Sequence, residues 1–138
     1  MLFRSPLLIF LETETKAALE DLSGMYEQKE MKITLKGGGS DVKVYTDPTA
    51  TRALIRSMIS YMIRLSDGRG EIAIKCIRED NTALFTINHR DIKSPSDKSS
   101  IISIEKCKEV ASSMGGSISA DYNSSNGTTI KIKLPAVM

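Results

Sequence analysis

The sequence predicts a two-layer α/β sandwich: a mixed sheet of about five or six strands with about three helices packed on one face. Three observations predict it. The apolar spacing switches repeatedly between the helical period and a period of two. Each two-period segment alternates apolar with polar residues, so the sheet keeps a face for solvent. The order runs helix, hairpin, helix, hairpin, loop, helix, hairpin, all within 138 residues, which is the size of one domain.

Residues 8–28 read as the first helix. Leu11, Thr15, Ala18, Leu22 and Met25 fall on one side, Glu12, Glu14, Lys16, Glu20 and Asp21 elsewhere, and Gly24 weakens the last turn. Residues 31–35 alternate as a strand, Lys36-Gly37-Gly38-Gly39-Ser40 turns, and Val42, Val44 and Tyr45 form its partner, giving a hairpin. The glycine triplet lacks the following lysine and helix start that a phosphate cradle needs.

Asp47-Pro48 starts the second helix, since aspartate can cap free backbone donors and proline suits the first helical position. Leu54, Ile55, Met58, Ile59, Met62 and Leu65 make its buried stripe, and the glycines of residues 66–70 stop it. Two strands follow, 71–77 and 83–88, joined at Asp80-Asn81. Residues 89–100 read as a polar loop containing Pro95. Ile101, Ile104, Cys107, Ala111 and Met114 then recur at helical spacing until Gly115-Gly116 ends the helix. Ile118, Ala120 and Tyr122, a turn ending in Asn126-Gly127, and Ile130, Ile132 and Leu134 complete the last hairpin.

Composition narrows the function. A net charge of +2, with lysines and arginines scattered along the chain, gives no nucleic-acid stripe. Cys76 and Cys107 lie in apolar patterns and read as buried free thiols of a reducing cytoplasm. One histidine and two separated cysteines make no usual zinc site, and no pattern pairs His89 with a Ser or Cys nucleophile. The apolar run within residues 2–11 is too short for a membrane span and has no cleavage site behind it. Its core, Leu7 to Leu11, is denser than a one-sided element requires; it reads either as buried core or as an exposed contact surface.

The end of the chain carries a resemblance. Helix, Gly115-Gly116, strand, Asn-Gly turn, strand and Leu134-Pro135 resemble the end of a histidine-kinase ATP-binding domain, with Met114 where that family has histidine before its glycines. Residues 47–76 run ungapped against the kinase pattern, from Asp-Pro to Gly70-Glu71-Ile72, and the likeness extends over 22–135. It implies the Bergerat-like sandwich of the gyrase, chaperone, histidine-kinase and mismatch-repair ATPases, with residues 1–30 as a connecting helix.

The same resemblance assigns the nucleotide positions, and every asparagine, aspartate and glycine of its three motifs is replaced. The two asparagine positions on the helix that carries the magnesium ligand fall on Ser57 and Tyr61, followed by a basic residue kept as Arg64. The adenine-binding aspartate falls on His89, or on Asn88 after a shift of one, and the glycines behind it become Asp91 and Lys93. In the Gly-x-Gly-Leu opening of the last helix the glycines become Ile101 and Ser103, while Ile102 and Ile104 stay apolar. The lid residues 93–100 contain no glycine.

Three motifs altered together imply a domain without nucleotide cofactor or catalytic residues, acting by protein contact in two-component signalling. The alternative is a divergent but working ATP-binding catalytic domain, a protein-histidine kinase using ATP and magnesium. A phosphotransfer adaptor fits less well, because no helical hairpin with its histidine is read here. The partners implied are a response regulator or a kinase dimerisation hairpin, with a homodimer allowed, in the cytoplasm.

Overall fold

The computed structural model describes residues 7–37, 42–66, 70–89, 98–123 and 127–136, with the backbone alone at 7, 37, 98–104 and 122–123. In chain order the elements are β1 (Leu7–Phe10), α1 (Leu11–Asp21), α2 (Ser23–Gln28), β2 (Lys32–Gly37), β3 (Lys43–Thr46) and α3 (Pro48–Leu65). There follow β4 (Glu71–Glu79), β5 (Thr82–His89), α4 (Lys98–Ser113), β6 (Ser117–Asn123) and β7 (Gly127–Pro135).

Five strands form the main sheet in the order β2-β4-β5-β7-β6. β2 runs parallel to β4, and the other neighbours are antiparallel, so the sheet is mixed. Register aligns the inner side chains in rows. Ile72, His89 and Thr128 share one row, Ile74, Ile87 and Ile130 the next, and Cys76, Phe85 and Ile132 a third. All nine are essentially buried. α3 and α4 pack over this face, with α1 against α3. Leu54, Met58, Met62 and Ala111 are buried there as their spacing requires; the side chain of Ile104 lies outside the description.

Several expectations are corrected. Residues 7–10 are a strand, not the start of a helix. Ile9 points inward and is 7% exposed, while Leu8 and Phe10 point outward at 49% and 36%. That alternation, with a β-branched and an aromatic residue, suits a pleat. The helix behind it divides at Leu22, ahead of the weak helix formers Ser23 and Gly24, so there are four helices rather than three. β2 and β3 form no hairpin. β2 joins β4, and β3 pairs with β1 in a separate two-stranded ribbon, giving two sheets rather than one. Alternation fixes which face a strand buries but not its neighbour, and β4 offers β2 a longer apolar ladder. A single bridge, Val44 to Ala136, ties the ribbon to the end of β7. The loop expected over 89–100 is also shorter, since His89 ends β5 and α4 begins at Lys98. Among the described residues no helix is long and apolar enough to cross a membrane.

Candidate functional site

α3 places Ser57, Tyr61 and Arg64 on one side, at successive helical turns. Both ends of that helix are fastened. At the start, the Asp47 carboxylate accepts from the N–H groups of Thr49 at 2.9 Å and Ala50 at 3.2 Å. At the end, the Lys29 ammonium donates to the carbonyls of Ile63 at 2.9 Å and Ser66 at 2.8 Å. A cation there adds to the Ser66 N–H that the Ile63 carbonyl already accepts at 3.1 Å, and it opposes the negative end of the helix dipole. Arg52 adds a sideways tie, donating from Nε to the buried Glu14 carboxylate of α1 at 2.7 Å. Hydrogen bonding and charge from Glu14 hold that guanidinium above its ordinary pKa.

The three α3 positions differ sharply in their surroundings. Tyr61 is 1% exposed and belongs to the core, whereas Ser57 and Arg64 face solvent. The Ser57 hydroxyl lies near the Cys107 thiol of α4. Burial pushes that thiol's pKa up, and the serine partly offsets the rise. Cys76, in the inner face of β4, is pushed up by burial in the same way, against an opposing contact with Thr15 at 3.7 Å. Both cysteines are free and buried.

His89 ends β5, between Ile72 and Thr128 in register, and is 1% exposed. α3 packs across β5, so Tyr61 and His89 belong to the same helix–sheet layer. Asn88, the alternative adenine position, lies in the opposite face and donates to the Thr129 hydroxyl at 2.7 Å. Asp91 and Lys93 lie outside the described residues. Ile101 and Ser103 stand in the first turns of α4, where only the backbone is described. Among the described residues no three of His, Cys, Asp and Glu gather as a metal site.

Met114, in the family's histidine position, accepts a hydrogen bond from the Thr51 hydroxyl on its sulfur at 3.5 Å. The turn behind it closes as a Schellman motif, Gly115 N–H to Ser112 carbonyl at 3.0 Å and Gly116 N–H to Ala111 carbonyl at 2.9 Å. Gly115 has φ +78°, and a Cβ on Gly116 would sit 2.1 Å from the Lys133 carbonyl oxygen. The glycine pair therefore holds α4 against β7, a structural duty independent of any ligand. Local pattern gave no sign of the Lys29 cap, the Glu14–Arg52 pair or the Ser57–Cys107 contact, because each joins residues far apart in the chain.

No protein-family model matches the chain, and a sequence search of curated proteins gives no match. Solved structures do match. The histidine kinase AdeS of Acinetobacter baumannii superposes with TM-score 0.84 at 13% identity, covering 100% of this chain and 70% of that one. The catalytic domain of histidine kinase ThkA gives 0.85 at 13% identity over 96% of this chain and 99% of that one. ThkA in complex with response regulator protein TrrA gives 0.82 at 15% identity, over 96% and 42%. This chain has the fold of the histidine-kinase catalytic ATP-binding domain.

Proposed function

We propose that this chain is a nucleotide-binding-deficient histidine-kinase-like domain, working as a protein-interaction or regulatory module in two-component signal transduction. The observation that carries this reading is Tyr61. An aromatic ring, 1% exposed, occupies the position where the resemblance puts an amide ligand of magnesium. Admitting a triphosphate there would require expelling a core side chain, and removing an aromatic from a packed core costs about 3–5 kcal/mol.

His89 supports the same conclusion. At the adenine position it is buried against Ile72 and Thr128, so a purine would have to displace packed residues to meet it. The cofactor is therefore none, and no residue here is assigned a catalytic role. The contact role draws support from two sources. ThkA has been captured with a response regulator. On this chain the outward face of the β1–β3 ribbon presents Leu8, Phe10 and Tyr45, with Leu8 directly opposite Tyr45 in register. A response regulator or a kinase dimerisation hairpin is the partner this reading names, and the cytoplasm, where two free thiols stay reduced, is its setting.

Thermal denaturation with ATP and magnesium tests the reading. A ligand at one hundred times its Kd stabilises a fold by about 2.7 kcal/mol. The midpoint of this chain should not move at millimolar nucleotide. A saturable rise would favour the divergent, working kinase domain instead.

A further inference from the structure

Lysines that are scattered along the sequence are gathered by the strand register. The helices cover one face of the main sheet, and on the other face Lys36, Lys75, Thr86, Lys131 and Ser119 form a single row across β2, β4, β5, β7 and β6. Lys133 lies two residues beyond Lys131 on β7. All four lysines are exposed. Among the described residues none of the four makes an ion pair. The acids of this face, Glu71, Glu79 and Asp121, stand towards its ends, and Glu71 lies opposite Lys32.

From strand spacing, Lys75 and Lys131 are about 10 Å apart and Lys131 and Lys133 about 7 Å apart. Lys36 and Lys75 are direct cross-strand neighbours, an arrangement of like charges that works against the sheet. Lysine on an edge strand is commonly a guard against aggregation, and Lys36 on β2 fits that use. Lys75 and Lys131 do not, because β4 and β7 are interior strands. Beside the row, Ile77 is 38% exposed, while Leu84, its partner across the ladder, is buried.

We propose that this open sheet face is a docking surface for an acidic protein partner, one that sets an apolar side chain on Ile77 and carboxylates against Lys36, Lys75, Lys131 and Lys133. An apolar centre with a charged rim is the anatomy of a protein interface. The observations favour protein over the other polyanions. Among the described residues of this face there is no aromatic side chain for a base to stack on, and its cations, Lys32 included, are lysines rather than the arginines that grip phosphate in two-pronged fashion. One half-exposed isoleucine is too little apolar area to enter a bilayer surface. The surface is on the far side of the sheet from α3, so the inference does not depend on the state of the nucleotide positions.

Fluorescence anisotropy tests it with a labelled amphipathic helical peptide carrying leucines on one face and glutamates beside them. A DNA duplex and phosphatidylserine vesicles serve as competing probes at the same low ionic strength. The peptide should bind the wild-type chain and bind Lys75→Glu/Lys131→Glu at least about tenfold more weakly, with Lys75→Gln/Lys131→Gln between them. The reversed chain should melt no lower than wild type, because one like-charge contact has been removed. Peptide affinity that ignores the substitutions would overturn the proposal, as would tighter binding of the duplex or the vesicles than of the peptide.

Discussion

Replacing Lys29 by methionine removes the ammonium that closes α3 while keeping most of the side chain's length and apolar stem. Two hydrogen bonds, at 2.9 and 2.8 Å, are lost from the carbonyls of Ile63 and Ser66. Hydrogen bonds to a charged group contribute roughly 1.5–3 kcal/mol each when shielded, and much less in water. Lys29 is half-buried, and its two acceptors share one cation, so a combined loss of about 1–2 kcal/mol is reasonable. For 138 residues, unfolding entropy near the midpoint is about 0.29 kcal/mol/K, which converts that loss to a fall of about 3–7 °C. Circular dichroism melts read the change. Hydrogen exchange should place it in the last turn of α3, where Arg64 lies and just beyond Tyr61. A methionine variant melting within about 1 °C of wild type, with unchanged exchange there, would show that the cap is incidental.

Three further outcomes are expected. Gly116→Ala should cost about 1–3 kcal/mol or more in urea denaturation, because its Cβ would meet the Lys133 carbonyl oxygen at 2.1 Å and the Leu134 side chain at 2.8 Å; a neutral result would mean that α4 and β7 part easily. Burial raises both cysteine thiols above their ordinary value of 9.0, so the folded chain keeps protons that the unfolded chain gives up. That contribution is complete below about pH 9 and is lost as pH rises further, so the urea midpoint should fall less steeply across alkaline pH in Cys76→Ala/Cys107→Ala than in wild type. The β1 alternation predicts that Ile9→Ser destabilises by about 2–4 kcal/mol, while Leu8→Ser stays under about 1 kcal/mol; equal costs would contradict the pleat.

The sequence reveals faces more readily than neighbours. Asp47-Pro48, the stripe from Leu54 to Met62 and the Gly115-Gly116 stop are local signals, and the corresponding elements stand where those signals put them. The partnership of β2 with β4 was hidden because Ile33 and Leu35 alternate identically in a hairpin or a parallel ladder. β1 was hidden by Leu11, whose helical stripe runs without a break into the apolar run before it. The lysine face was hidden for a related reason. Lys36, Lys75 and Lys131 are far apart in the chain, and only the register of four strands makes them neighbours. Tyr61 was legible as a bulky departure from an amide position, but its burial required the packing of α3 on the sheet.

The central claim, that this fold has lost its nucleotide, is tested most directly by isothermal titration calorimetry of the chain with ATP and magnesium. The expected trace holds only heats of dilution, and Tyr61→Asn should not be needed to explain any signal. A saturable, one-to-one isotherm with Kd below about 1 mM, some 4 kcal/mol of binding free energy, would contradict the account.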